Sequence, residues 1–360
     1  MNPEKVTTFL QEIDETEQNV TYKTIQTTFK NQIKIEEIKK MKESKQEALS
    51  TFDISKLLIS RYEKLREHLI GRIELVNVIS LNKISERSGK FSLIVMVKNK
   101  EEKSRSVDVE DLTGQTTVYF PNENKQFDLI VNDEVVGMFC EKKNDRIEAI
   151  NLLWPDIPLK RTISRTEDAI YCLFLSDLSD DKEKYNKIIQ NMAGLKYKRI
   201  YIFFIGDVVF SDSFKMFLTS LPEDSIKVFI SKNKPDYPNI SHFLPPATLK
   251  IEDSIVLLLC EGEMFSKYRT AWPNIPPTDI ILNILKKRHL SPIFDMDSSQ
   301  FEETYFIDTV PDIFVASNFG NSGLTNYKGV TIITNGNFSS EPIYYMINLE
   351  TRESIKINLI

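Results

Sequence analysis

Two aspartates stand at matched positions in this chain, Asp177 and Asp207. Asp177 ends the run Tyr171-Cys172-Leu173-Phe174-Leu175-Ser176, and Asp207 follows Arg199-Ile200-Tyr201-Ile202-Phe203-Phe204-Ile205-Gly206. A polar segment of helical length separates the two runs, which is the pattern of a buried βαβ unit. Functional groups in such sheets gather at the carboxyl ends of the strands, where both aspartates fall. Two carboxylates held together there repel each other unless a cation lies between them. Either aspartate alone reads as an ordinary loop residue. As a pair they mark a metal site, or what remains of one.

The elements that must position the pair alternate strand and helix. Strands are expected at 169–175, 199–205, 226–231 and 254–260, with helices near 183–193 and 211–218. Thr278 is placed to cap a further helix carrying Ile280, Ile281, Ile284 and Leu285. Lys286, Lys287 and Arg288 occupy its last turn, where cations suit the helix dipole. Residues 329–334, 342–349 and 354–360 close the chain, the last two as a hairpin.

Ahead of these, 154–158 reads as a rigid Pro-containing linker. The stretches 70–80, 91–97, 107–112, 115–120, 134–140 and 146–153 read as short strands of a small barrel of the OB type. Arg87, Lys90, Lys98, Lys100, Lys103 and Arg105 supply charge there, but Glu86, Glu101 and Glu102 dilute it, and aromatics are few. That favours a protein-binding platform over a barrel that stacks single-stranded bases. Residues 53–70 form an amphipathic helix with Asp53 as its cap, and 1–50 read as a charged helical or flexible arm. The division is therefore an arm at 1–52, a helix plus barrel at 53–160 and an α/β domain at 161–360.

At 360 residues the chain has length for two domains and an extension. An apolar content of 41% suffices for packed cores. A net charge of −6 excludes coating nucleic acid by bulk electrostatics, so any DNA contact is a local patch. Cys140, Cys172 and Cys260 sit singly in apolar runs, without zinc spacing, which predicts a reducing, cytoplasmic setting. No apolar run reaches bilayer length and no signal peptide opens the sequence, so no membrane partner is expected.

Further short stretches fall in order along residues 53–338: Glu110-Asp111-Leu112-Thr113-Gly114, Trp154-Pro155-Asp156-Ile157-Pro158, Leu175-Ser176-Asp177-Leu178, Lys287-Arg288-His289-Leu290-Ser291-Pro292, Val310-Pro311-Asp312-Ile313-Phe314, Tyr327-Lys328-Gly329-Val330 and Asn335-Gly336. With Gly206-Asp207 they resemble the calcineurin-like metallophosphoesterases and, more narrowly, the small subunit of the archaeal family-D DNA polymerase. The resemblance implies an OB-type barrel followed by a calcineurin-like α/β sandwich, and a large catalytic polymerase subunit as partner.

Active members of that fold family hold two metal ions that activate water and clamp phosphate. Here the resemblance implies a degenerate site. Asp-x-His becomes Asp177-Leu178-Ser179, Gly-Asp survives as Gly206-Asp207, and Gly-Asn-His matches Lys232-Asn233-Lys234. The later His-Gly becomes Glu261-Gly262, and Gly-His-x-His becomes Ser317-Asn318-Phe319-Gly320. Asp177, Asp207 and Asn233 are the remnants; Ser179, Lys234, Glu261, Asn318 and Gly320 fill vacated slots. The three histidines, His68, His242 and His289, fall in none of them. No cofactor and no catalytic residue are expected, with proofreading chemistry lost and DNA contacted indirectly or through a patch. Lys234 is expected to neutralise Asp177 and Asp207, with Asn233 donating to the same cluster. An apolar patch for the partner is expected on the N-terminal helix and at 278–294. Two alternatives stand beside this: a 3′–5′ exonuclease whose oxygen ligands Asp177, Asp207, Asn233, Glu261 and Asn318 hold Mg²⁺ or Mn²⁺, and a free-standing single-strand DNA-binding module.

Overall fold

The computed structural model describes residues 35–40, 50–294 and 302–359, so most of the expected arm lies outside the described residues. Its one described piece corrects the sequence reading. Residues 35–39, expected to be arm, form strand β1 (Ile35–Lys39), which pairs antiparallel on the edge of a sheet more than two hundred residues away. Ile35 supplies the apolar contact that a charged tether would lack.

Helix α1 (Thr51–Leu69) starts at Ser50, not at Asp53. Asp53 sits three positions in and closes a capping box, accepting from Ser50 N–H at 3.1 Å while its own N–H donates to Ser50 Oγ at 3.3 Å. Tyr62, Leu65 and Leu69 bury one face of the helix against Ile94 and Met96 on the outside of a barrel. That barrel is closed by β2 (Lys90–Glu101), β3 (Ser106–Asp111), β4 (Gly114–Tyr119), β5 (Val135–Lys143) and β6 (Arg146–Leu153). Its order is β2-β3-β4-β6-β5, with β4 and β6 parallel and the other pairs antiparallel. Phe91, Leu93, Val95 and Val97 alternate into the interior, as period-2 patterning requires. The stretch 70–80 departs from expectation: it is a chain of turns with a single bridge, Val78 to Ser92, rather than a strand.

The second body is two stacked six-stranded sheets. One runs β10-β9-β8-β7-β16-β17, the other β1-β11-β12-β13-β15-β14. Their strands are β7 (Ile170–Ser176), β8 (Arg199–Ile205), β9 (Ser225–Ile230), β10 (Ser241–Phe243), β11 (Ala247–Ile251), β12 (Ile255–Glu261), β13 (Ile313–Ser317), β14 (Gly323–Tyr327), β15 (Val330–Thr334), β16 (Ile343–Asn348) and β17 (Ser354–Asn358). Cys172, Phe174, Phe203, Leu257, Val315 and Tyr345 meet in the space between the sheets. The outer face of the first sheet is covered by α2 (Lys182–Ala193) and α3 (Asp212–Ser220). The second is covered by α4 (Ser266–Ala271) and α5 (Pro277–Lys287). Helix α5 begins on Pro277 without a side-chain cap, so Thr278 lies inside it.

Barrel and sandwich meet through charge taken out of water. Lys287, expected only to suit the helix dipole in the last turn, is 2% exposed and is ion-paired with Glu134, which is 1% exposed. Glu134 also accepts from Trp154 Nε1 at 3.1 Å and from Val131 N–H at 3.2 Å, while Lys287 Nζ donates to Leu129 O at 3.0 Å. Burial pushes the carboxyl up and the ammonium down, each opposed by the other's charge. Its neighbour Arg288 turns left-handed (φ 58°), and Nη2 donates to Asp308 O at 2.8 Å. With Ile280, Ile284, Leu285 and Leu290 buried too, 278–294 is an internal seam and not the exposed apolar patch expected there.

Breaking one side of that pair strands a charge. Lys287→Met is expected to lower unfolding stability by about 3–5 kcal/mol in urea titration, and adding Glu134→Gln is expected to recover most of the loss.

Candidate functional site

The parallel strands of both sheets end at one edge of the sandwich. Sheet alternation carries Ser176, Glu261, Ser317 and Asn335 toward the space between the sheets, because Phe174, Leu259, Val315 and Ile333 two residues earlier lie in that core. Ser176, Ser317 and Asn335 are fully buried. Asn335 Nδ2 donates to Phe174 O at 3.0 Å, which ties the two sheets together just beneath this edge.

Asp177 and Gly206-Asp207 form the tightest part of the site. Asp177 leaves β7 with φ 39°, and its Oδ1 accepts the N–H of Asp207 at 2.9 Å. Gly206 has φ 93°, and a Cβ there would collide with that same oxygen. Glycine is therefore required twice, for the backbone angle and for the approach. Burial raises the Asp177 carboxyl to about 6; the Asp207 N–H pulls it down and the Asp207 charge pushes it up. The contact between the two residues runs through the Asp207 backbone, and the Asp207 side chain itself stands in solvent.

Glu261, at the end of β12, is the third acid. Burial raises it to about 7, opposed by Lys232 and reinforced by Asp207, Asp177 and Glu263. Lys232 Nζ lies 2.8 Å from Glu263 and 3.8 Å from Glu261, and the Glu263 carboxylate holds its ammonium above its ordinary range. This corrects the expectation for Lys234: both lysines are exposed, and the cation that ion-pairs with the acids is Lys232. The physical reason is reach. Lys232 directly follows the buried Ser231 and lies two residues beyond the end of β9, whereas Lys234 lies four beyond it. Asn233 is exposed as well, and its part is played by the backbone, where its carbonyl accepts from Ser231 Oγ at 2.8 Å.

The remaining slots are occupied by packing. Ser179 offers its carbonyl to Tyr185 OH at 2.8 Å, at the start of α2. Asn318 is exposed with φ 48°. At Gly320 a Cβ would lie 2.9 Å from Pro277 Cγ, so the loop after β13 is pressed onto the start of α5 and leaves no room for a ligating side chain. His242 Nε2 lies 2.9 Å from Ser231 O, and His289 stacks edge-on against Phe306. Among the described residues, no three His, Cys, Asp or Glu side chains are arranged to hold a metal ion. Lys232 lay inside the Lys232-Asn233-Lys234 stretch without being given a role, and Glu263 had no motif to mark it; the signal for both was a place within two residues of a strand end at the same edge.

No protein-family model matches the chain. It is 24% identical over 355 residues to the DNA polymerase II small subunit of Methanothermobacter thermautotrophicus, covering 80% of this chain and 73% of that one. It is 23% identical over 364 residues to the DNA polymerase II small subunit of Thermoplasma acidophilum, covering 84% and 74%. This chain is similar to archaeal DNA polymerase II small subunits. Among solved structures, an archaeal phosphodiesterase aligns with 52% of this chain and 99% of its own at 12% identity, with a TM-score of 0.32.

In this polymerase-subunit-like chain the acid cluster sets a pH dependence whose sign follows from the raised values. Asp177 moves from 3.8 to about 6 and Glu261 from 4.5 to about 7, so the folded state binds more protons than the unfolded one across that window. Their contribution to stability is present at pH 4 and is lost as pH rises toward 7. Thermal midpoints measured across that range should fall less steeply in Glu261→Gln than in the parent chain.

Proposed function

We propose that this chain is the small, non-polymerising subunit of a family-D-like DNA polymerase, and that it scaffolds the large catalytic subunit during DNA replication. The similarity to archaeal polymerase small subunits across four-fifths of the chain carries this reading. The barrel's strand order, with a parallel pair closing an otherwise antiparallel five-stranded ring, supports the OB type. Two stacked sheets with helices on both outer faces, and acids at their shared edge, support a calcineurin-like phosphoesterase ancestry.

The chain's own 3′–5′ exonuclease chemistry is absent in this reading. Lys232 offsets the acid cluster from its solvent side, and the loop at Gly320 leaves no space for a ligating side chain. Polymerisation then belongs to the larger chain, and this one contributes surface and rigidity. The barrel is poorly equipped to hold DNA alone, because its cations are matched by acids: Lys98 with Glu110, Lys100 with Glu102, and Lys143 with Glu148 at 2.7 Å. Such pairs leave little net field for a phosphate backbone.

The expected result is co-purification of the chain with a large polymerase subunit. Mn²⁺ should add no exonuclease activity on single-stranded DNA to the isolated chain. Mn²⁺-dependent degradation that disappears in Asp207→Ala would overturn the inactive-site part of the reading and leave the scaffold part standing.

A further inference from the structure

The opposite edge of the sandwich, where the parallel strands begin, gathers arginines. Asp312 leads into β13, roughly 15 Å along that strand from the acidic edge, and its side chain is 1% exposed. Arg161, in the segment before β7, donates through Nη2 to Asp312 Oδ1 at 2.7 Å and to Val310 O at 3.2 Å. Arg352, in the turn between β16 and β17, donates through Nη2 to Asp312 O at 2.7 Å and to Thr331 Oγ1 at 3.3 Å.

Two guanidinium groups thus meet at one aspartate, with donors left over. Arg161 Nη1 and both Nε and Nη1 of Arg352 are shielded from solvent and have no hydrogen-bond partner among the described residues. Asp312 is already committed. Its Oδ2 accepts from Val256 N–H at 2.9 Å, and its carbonyl also accepts from Thr331 N–H at 3.0 Å. Buried N–H groups left unmet are costly, and a guanidinium cannot relieve the cost by giving up its proton.

The balance of charge gives the sign of a ligand. Asp312 is the carboxylate whose charge acts most strongly on Arg352, and it is already ion-paired with Arg161. Arg165 adds a third cation nearby, with Nη1 donating to Glu350 O at 3.3 Å. Cys172 lies close to Arg352 too, but burial pushes its thiol far above the ordinary range, so it stays neutral. A water molecule would meet the spare N–H groups and leave the excess positive charge; an anion meets both. Shielding from solvent then limits size. A single-atom anion fits among such atoms, whereas a phosphate or a nucleic acid backbone needs an open surface.

We propose that Arg161 and Arg352 hold a small inorganic anion of the halide class beside Asp312, which pins the β16–β17 turn and the segment before β7 to the start of β13. This stands independently of the small-subunit reading. The test uses the full chain, with chloride and bromide as probes. At constant ionic strength, exchanging gluconate for chloride should raise the thermal midpoint by at least about 2 °C, along a curve that saturates. Arg352→Met removes the excess charge, and its midpoint should no longer distinguish the two salts. Crystals of the parent chain grown in bromide should show an anomalous peak within hydrogen-bond reach of Arg161 Nη1 and Arg352 Nε or Nη1, a readout that needs no variant. A parent midpoint indifferent to chloride, or a chloride response that Arg352→Met retains, overturns the proposal. So does an ordered water in place of bromide. A bromide peak without any chloride effect on the midpoint marks an adventitious ion only, and an equal rise with sulfate marks general salt action; either result overturns it as well.

Discussion

The buried pair of Glu134 and Lys287 governs how the two bodies of this protein relate. Neither charge has access to water, and each is pushed toward neutrality by burial. What makes the pair tolerable is that its remaining hydrogen-bonding capacity is met by Trp154, Val131 and Leu129. Those partners come from the barrel and the linker, while Lys287 comes from the sandwich. Separating the bodies would expose the pair's geometry to solvent and leave both charges without their partners. Arg61 of α1 reinforces the same seam, donating to Asp133 O at 3.2 Å and to Pro292 O.

The edge of the sandwich gathers acids without a histidine among them. Three carboxylates remain near one another, and two mechanisms limit their repulsion. Burial raises Asp177 and Glu261, so that both spend less time charged, and Lys232 provides a cation on a flexible stem. One Asp177 oxygen accepts the Asp207 N–H. That bond, with the glycine it demands at 206, gives the Gly-Asp pair an architectural reason of its own.

Rigidity links these features to the proposed role. The seam fixes the barrel, and the barrel in turn fixes residues 70–78 through Ser92 and Gly137. Arg72 reaches the linker at Pro155, so that segment touches both the barrel and the chain that leads into the sandwich. A scaffold needs this kind of stiffness more than it needs a pocket.

Much of this was legible in the residues. Short alternating runs marked the barrel strands, and the long apolar runs ending in Asp177 and Gly206-Asp207 marked β7 and β8, because side-chain periodicity is a local property of the backbone. The contact of the Asp177 carboxylate with the Asp207 N–H followed from parallel neighbours ending at one edge. Other features were decided only in three dimensions. Ile35–Lys39 looks like a solvated arm until β11 offers it a free edge, since strand pairing depends on a partner distant in sequence. Lys287 looks like a helix-end cation until Glu134 arrives from the barrel. Lys232 and Lys234 are equivalent in type and nearly so in position, and the direction in which the chain leaves β9 decides which one meets the acids. Sequence alone determined the periodicities, the glycines and the acids at strand ends, because those are set by neighbours along the chain. Tertiary structure decided which charges lose water and which find each other, because burial and pairing depend on what the rest of the fold brings to the same place.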